Sequence, residues 1–270
     1  MDQAEQISVL DFSALPDVSE LHPELAPEER WFAAHMKARE DAFLYLFGES
    51  EPPGQIFSPS DPQLTVNWPG GGIYQYPPCE GRAAWHYVTH GLAQPFSEEE
   101  GKAGAETPEA VSGLGVEYVI STPEPADWAP NLLLDLVRYV LFTEGAVPFG
   151  PGERIPYSGF EALGTPERPC PLTHLLAVTS AEYPAQLRLP AGFCTMIHFV
   201  GVTEAEVARA RNAGRDGFGS FILANVLIEL GIGLATDPGR ECATEHPLFD
   251  DVWSEVEEKM RGSSGEPEAE

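Results

Sequence analysis

The stretch from Trp128 to Phe142 is the part of the sequence that most restricts the fold. It follows Asp127, a residue type that favours helix N-caps, and it carries Pro130 where a first helical turn tolerates proline. Apolar residues then recur at helical spacing and predict a buried stripe of Leu133, Leu136, Val137, Val140 and Leu141. Gly145 and Pro148 end the pattern. On the residues alone, the simplest interpretation is a core helix followed by a polar loop.

Periodicity elsewhere predicts the remaining elements. Helices are expected over 23–48, 203–212, 218–230 and 245–260, and Thr203 with Glu206 forms a capping-box pattern. Strands are expected over 64–68, 73–76, 83–89, 115–122, 172–178, 196–200 and 232–235, with a flexible loop over 94–112. Strands occur in clusters with hairpin-length loops, and helices lie between the clusters. We therefore expect an α/β fold of the α+β type, in which several helices pack on a central mixed, largely antiparallel β-sheet.

The formal net charge of −28, from 43 acidic and 15 basic residues, restricts the partners. Nucleic acid and anionic membranes would be repelled, whereas a basic protein would be attracted. Acidic residues are also clustered locally, with no Lys or Arg between Arg240 and Lys259. That cluster is either a solvated helix face or a contact surface for a basic partner.

The 270 residues are sufficient for one large domain. We expect an irregular N-terminal arm over 1–22, a single domain over 23–261 and a disordered acidic tail over 262–270. The N-terminal residues are acidic and show no secretory signal, and no run of 18 apolar residues occurs. The expected location is cytoplasmic. Three lysines against twelve arginines are typical of a GC-rich bacterial genome.

Motifs of common catalytic and cofactor sites do not occur in the sequence. There is no phosphate-binding G-x-x-x-x-G-K-[ST], no G-x-S-x-G and no H-E-x-x-H, and the four cysteines form no C-x-x-C pair. His86 and His90 would share one face of a strand but lie about 13 Å apart, too far for one metal ion. We therefore expect no cofactor and no metal site.

Aromatic residues in the predicted strands leave a second class of function open. Trp68, Tyr74, Tyr76, Trp85 and Tyr87 could line the pocket of an enzyme or a small-ligand protein. Aromatic strand residues are more often core or cross-strand partners, so this alternative is the weaker one. A deep pocket with converging polar groups would favour it.

Four blocks of sequence resemble one protein family in the order that the family shows. They are Trp85-His-Tyr-Val-Thr-His-Gly-Leu92, Ser112-Gly-Leu-Gly-Val-Glu117, Leu136-Val-Arg-Tyr-Val140 with Gly152-Glu153, and Met196-Ile-His-Phe-Val-Gly-Val-Thr-Glu-Ala-Glu206. Together they resemble the Suppressor of fused domain family over roughly residues 31–250. The resemblance implies a single mixed domain and no enzymatic activity.

The resemblance also implies a role in protein binding. Animal members bind a transcription-factor peptide as an added strand, and the residues that match their recognition site are Tyr139 and Glu153, with Arg138 beside them. The turn is two residues longer here, carries Glu in place of Asp, and nothing corresponds to the second domain of the animal proteins. Bacterial members resemble immunity proteins of toxin–antitoxin systems, so we expect a protein that neutralises a basic toxin. A regulatory binder of another basic cytoplasmic protein is the alternative.

Overall fold

A mixed β-sheet is the centre of the computed structural model, which describes residues 9–20, 22–57, 62–68, 70–107, 109–180, 182–214 and 217–263. The strands are β1 Val9–Asp11, β2 Gln55–Phe57, β3 Gly72–Tyr76, β4 Trp85–His90, β5 Val111–Thr122, β6 Arg154–Pro156, β7 Leu172–Val178, β8 Gln186–Leu189 and β9 Gly192–Thr203. The helices are α1 Pro27–Phe47, α2 Pro62–Asn67, α3 Glu98–Glu106, α4 Trp128–Phe142, α5 Glu204–Asn212, α6 Phe218–Glu229 and α7 Phe249–Ser263.

Strand β9 organises the sheet because it pairs with three other strands. It runs parallel to β5, and it is antiparallel to β8 near its start and to β7 near its end. The sheet continues from β5 through β4 and β3 to β2, while β1 adds to β8 and β6 adds to β7. Only the β1–β8 and β5–β9 pairs are parallel among the described strands. The predicted α+β fold with a largely antiparallel sheet is therefore confirmed.

Alternation along the strands separates the two faces of the sheet. In β5, Tyr118 and Ile120 point into a core that contains the buried stripe of α4. The intervening Val119 belongs to a second core, under Phe43 and Phe47 of α1. Helices α5, α6 and α7 cover a third core on β7 and the end of β9. Helices α1 and α4 thus lie on opposite faces of the same sheet.

Helix α4 begins and ends where the sequence predicts. Leu133, Leu136, Val137 and Val140 are buried, and Leu141 is half-buried. Asp127 occupies the N-cap position, but the prediction that its side chain caps the helix is wrong. The reason is that Asp127 already has helical backbone angles, φ −66° and ψ −20°, whereas a capping residue is normally extended.

One segment that the sequence predicts to be a strand, and one that it predicts to be a loop, contain helices. Residues 64–68 belong to α2 and the turn after it, since Leu64 and Trp68 are buried while Val66 is 78% exposed. Strand alternation would have placed all three on one face. The loop predicted over 94–112 contains α3, whose N-cap Ser97 accepts a hydrogen bond from the Glu100 N–H.

Other differences from the predicted elements lie at the ends of helices. The predicted strand over 232–235 does not form, because the N–H groups of Ile232 and Gly233 both donate to the Leu227 carbonyl and close the end of α6. Helix α1 starts at Pro27 rather than at residue 23, and α7 starts at Phe249 rather than at 245. The capping box of Thr203 and Glu206 is confirmed at the start of α5.

The predicted terminal segments are only partly described. Residues 9–11 of the arm predicted as irregular form β1, while residues 1–8 and 21 lie outside the described residues. Helix α7 extends to Ser263, so the predicted disordered tail lies outside the described residues from position 264 onward. Among the described helices, none has the length and apolar character needed to cross a membrane.

Candidate protein-binding site

Tyr139 lies on the last turn of α4 with half of its side chain exposed. Its ring stacks on Phe149 with centroids 5.3 Å apart and planes 17° from parallel. Phe149 is 8% exposed, and its N–H donates to the hydroxyl of Tyr118 in β5 at 2.9 Å. One face of the Tyr139 ring is therefore held against the core, and the exposed part of the side chain remains available for a partner.

Glu153 lies in the turn just before β6. Its Oε1 accepts a hydrogen bond of 2.8 Å from the Gly150 N–H, and no described residue donates to its Oε2. Its main-chain carbonyl accepts from the Ala177 N–H at 2.9 Å, and the Gly152 N–H donates to the Ala177 carbonyl at 2.7 Å. The strand β7 thus fixes the backbone that carries the carboxylate.

The same turn is also held from the side of α6. The hydroxyl of Ser220 donates to the Gly152 carbonyl at 2.7 Å. Gly152 and Gly217 are in such close contact that a Cβ on Gly152 would lie 2.8 Å from the Gly217 Cα. Both glycines have positive φ, 95° and 81°, so side chains are excluded on conformational grounds as well.

The structure brings two of the three predicted site residues together. Tyr139 stacks on Phe149, and the next residue, Gly150, donates to Glu153, so both side chains belong to one corner. Arg138 lies 3.9 Å from Asp135 and forms no ion pair with Glu153 among the described residues. Asp135 also accepts a hydrogen bond from the Tyr157 hydroxyl. We refer to the corner formed by Tyr139, Phe149 and Glu153 as the α4 corner.

Exposed apolar side chains extend the α4 corner, and the sequence analysis did not identify them. Phe142, three residues after Tyr139 on α4, is 43% exposed, and Val147, two residues before Phe149, is 71% exposed, compared with 49% for Tyr139. Contiguous apolar patches on a surface, unlike single apolar residues, favour contacts with other proteins. A signal was present in the sequence, because Phe142 and Val147 lie outside the helical stripe that accounts for the buried residues.

A buried carboxylate connects two of the sequence blocks in the fold. Glu117 is fully buried and accepts hydrogen bonds from the Thr89 hydroxyl at 2.7 Å, the Gly91 N–H at 2.8 Å and the Ala93 N–H at 3.0 Å. Burial raises the pKa of Glu117, and the nearby Arg39 guanidinium and these donors oppose that shift. The blocks 85–92 and 112–117 are thus joined by one side chain, which has a structural role.

A second buried cluster contains the types of residue found in hydrolytic sites. Ser121 Oγ lies 3.2 Å from His86 Nδ1 and 2.9 Å from His198 Nε2, and His86 Nε2 lies 3.1 Å from Glu182. The Ser121 side chain is only 1% exposed, so a substrate could not reach its hydroxyl in this structure. Throughout the described ranges, His, Cys, Asp and Glu side chains form no group of three that could hold a metal ion.

The aromatic residues considered for a small-ligand pocket separate into two sets. Trp68 and Tyr87 are 1% exposed core residues, and the half-buried Trp85 packs against the same core. Tyr74 and Tyr76, in contrast, line a cavity between α1 and β3.

The structure is a single α+β domain with a nine-stranded mixed sheet, and it presents the half-exposed Tyr139 beside the fixed turn of Glu153. The chain belongs to the Suppressor of fused protein (SUFU) family, whose model matches residues 68–241. That range contains the four sequence blocks. No match was found among curated proteins.

Two solved structures with TM-scores above 0.5 share this fold. A chain of the Sufu–Fu complex is 21% identical, with a TM-score of 0.59 over 82% of this chain and 96% of that chain. Drosophila Suppressor of Fused is 20% identical, with a TM-score of 0.51 over 71% of this chain and 46% of its own. This chain therefore spans less than half of the Drosophila chain. A putative SUFU homologue from Neisseria gonorrhoeae is 15% identical to this chain, with a TM-score of 0.44 over 69% of this chain and 85% of that chain.

Proposed function

We propose that this domain is a non-enzymatic protein-binding module whose α4 corner contacts a basic partner protein. The observation that carries the proposal is the half-exposed Tyr139 ring, stacked on the fixed Phe149 next to the carboxylate of Glu153. A tyrosine that is already ordered loses little conformational entropy on binding. It therefore suits the role of an anchor, and the exposed Phe142 and Val147 provide apolar contact area around it.

Charge supports a basic partner. The net charge of −28 gives a long-range attraction that accelerates encounter with a positively charged protein. Glu153 adds a local carboxylate whose Oε2 accepts no hydrogen bond from the described residues. Within the α4 corner the apolar side chains would provide most of the affinity, and the carboxylate would select a basic or hydroxyl group.

The specific role that we propose is that of a bacterial immunity-type protein, which binds and neutralises a toxin domain. Membership of the family and the strongly acidic composition support it. A structurally similar chain comes from the crystal structure of the Sufu–Fu complex, which supports protein binding as the general role. A toxin gene next to the gene for this chain would identify the partner to test.

The test compares binding of the partner by the wild type and by the double variant Tyr139→Ala, Glu153→Ala. The double variant should bind at least about tenfold more weakly, since removing an anchor residue typically costs 2 kcal/mol or more. Its melting temperature should change little, because both side chains are exposed and the Tyr139–Phe149 stack is worth only about 0.5–1.5 kcal/mol.

The matched control is Tyr45→Ala, Glu258→Ala, which removes the same residue types from exposed positions on α1 and α7. Affinity measured by calorimetry against the product of an adjacent toxin gene should be unchanged in the control. If both double variants lose affinity equally, the α4 corner is not the contact site. If the α4 corner variant unfolds, the two residues are structural and their proposed binding role is wrong.

A further inference from the structure

A cavity of about 430 Å³ lies between the second half of α1 and strand β3, on the face of the sheet opposite α4. Its lining includes Lys37 and Glu40 of α1, Glu49 of the following loop, Tyr74 and Tyr76 of β3, and His90 of β4. This volume is in the range of natural small-ligand sites, which begin at about 300 Å³.

The buried partner of His90 determines which ring nitrogen carries its proton. Arg39, 1% exposed, donates from Nε to His90 Nδ1 at 3.0 Å and from Nη1 to Gln94 Oε1 at 2.7 Å. A guanidinium can only donate, so Nδ1 must accept and the proton of the neutral ring must be on Nε2. Burial and the Arg39 charge lower the pKa of His90 well below its usual value, which keeps the ring neutral.

The Nε2–H of His90 has no acceptor in the described part of the chain. The remaining contacts of the ring are with aromatic rings, Tyr74 at 4.6 Å and Phe43 at 4.8 Å between centroids. His90 is 1% exposed and yet lines the cavity, so its free donor is directed at that space. The donor reaches solvent only through the cavity, so the oxygen of a bound ligand could accept its hydrogen bond in place of water.

The mouth of the cavity carries acidic side chains, whereas His90 on its inner side is a hydrogen-bond donor. Lys37 forms an ion pair with Asp41, whereas Glu40 and Glu49 form no ion pair within 4 Å among the described residues, although the Glu40 charge also acts on the buried Arg39. The C-terminal end of α1 adds the negative end of a helix dipole, and its last turn contains no basic residue. Tyr74 and Tyr76 line the cavity between this acidic mouth and His90, and their ring centroids are 6.5 Å apart with planes 18° from parallel.

We propose that this cavity binds a basic amino acid, either free or as a residue of a polypeptide. Its ammonium or guanidinium group lies at the mouth between Glu40 and Glu49, where the half-exposed Tyr74 ring adds cation–π attraction. Its carboxylate or carbonyl oxygen accepts the Nε2–H of His90.

This site is independent of the α4 corner. Helix α1 packs on the face that contains Val88 and Val119, whereas α4 packs on the face that contains Tyr118 and Ile120. A negative result at the cavity would leave the proposed protein-binding function unaffected, and the reverse also holds.

The test titrates the intact chain with L-arginine, with N-acetyl-L-arginine amide, and with L-citrulline, whose side chain has nearly the same shape as that of arginine but carries no charge. The reporter is the imidazole NMR signal of His90 in ¹⁵N-labelled protein. We expect a saturable shift with half-saturation at about 1–5 mM, as is usual for a ligand of about a dozen heavy atoms. Citrulline should cause no saturable shift over the same range.

The two arginine probes distinguish the sources of the ligand. Binding of L-arginine alone indicates a free amino acid, and binding of the blocked amide, alone or as well, indicates a residue within a polypeptide. No saturable shift with either probe, or equal affinity for citrulline, would overturn the proposal.

A variant that removes the charge of Glu40 tests the role of the acidic mouth of the cavity. Glu40→Gln should weaken arginine binding about threefold to tenfold, as expected for a partly buried ion pair. The control Glu258→Gln removes one exposed carboxylate from α7 and should leave the affinity unchanged. Equal losses in both variants, or none in Glu40→Gln, would contradict the assigned site. If Glu40→Gln does not fold, the exposed Glu49→Gln replaces it with the same expectation.

Discussion

Acidification should destabilise this domain through His198, a buried histidine of β9. Its Nε2 lies 2.9 Å from Ser121 Oγ, and its Nδ1 is buried with no hydrogen-bond partner among the described residues. Burial first, and then the neighbouring His86, lower the pKa of His198 to about 3, while Glu182 acts in the opposite direction. The imidazole is therefore neutral in the folded protein at any ordinary pH.

The size of the effect follows from proton linkage. The unfolded chain binds a proton at His198 near pH 6.5, and the folded chain does so only near pH 3. Between these values the unfolded state holds more protons, so stability is lost as the pH falls. From pH 7 to pH 5 the loss from this one group is about 2 kcal/mol, because each pH unit below 6.5 contributes about 1.4 kcal/mol.

Urea unfolding of the wild type and His198→Gln at pH 7, 6 and 5 measures this loss. Stability should fall less steeply in the variant, so that the difference in free energy of unfolding changes by about 2 kcal/mol across the series. Glu117 and His90 titrate in both proteins and cancel in this comparison. His22→Gln, at an exposed position, should parallel the wild type. Parallel curves for His198→Gln would refute the reasoning.

Two further predictions concern the packing of α5. Glu206→Gln should cost about 3–5 kcal/mol in urea unfolding, because Arg240, with only 8% of its side chain exposed, would lose its only carboxylate partner among the described residues; a loss below about 1 kcal/mol would show that the pair is not needed. Gly219→Ala should cost about 1–3 kcal/mol, since its Cβ would lie 1.9 Å from the Ala210 carbonyl. In the matched control Gly262→Ala, whose Cβ would meet nothing within 4 Å, stability should not fall, so equal losses in both variants would contradict the packing argument.

The parts of the fold that the sequence predicted correctly are those with a strong local signal. Helix α4 has a clear apolar stripe, and α5 begins at a capping box, so neither depends on distant residues. Helix α2 was predicted as a strand because Leu64 and Trp68 share a face in either conformation, and only Val66 distinguishes them. That distinction depends on tertiary packing, which the local pattern does not contain.

The candidate site also depends on tertiary contacts that a local sequence pattern does not contain. The sequence singled out Tyr139 and Glu153 through the family resemblance, and their roles remain predictions. Tyr139 and Glu153 lie at one corner because of Phe149. The Phe149 ring stacks on Tyr139, and the next residue, Gly150, donates a hydrogen bond to Glu153. At the cavity, the donor nitrogen of His90 is determined by a contact with Arg39, which is 51 positions away in the chain. No local pattern could have indicated that pair.

The three partners of β9 have a consequence for the motions of the domain. Residues 195–199 are paired with β5 on one side, and β8 or β7 covers much of the other side. Their amide hydrogens can therefore exchange with solvent only when the sheet as a whole opens. The three-residue β2, at the far edge with an irregular register, can fray by itself. The slowest-exchanging amides of β9 thus report the global free energy of unfolding, while those of β2 report local opening.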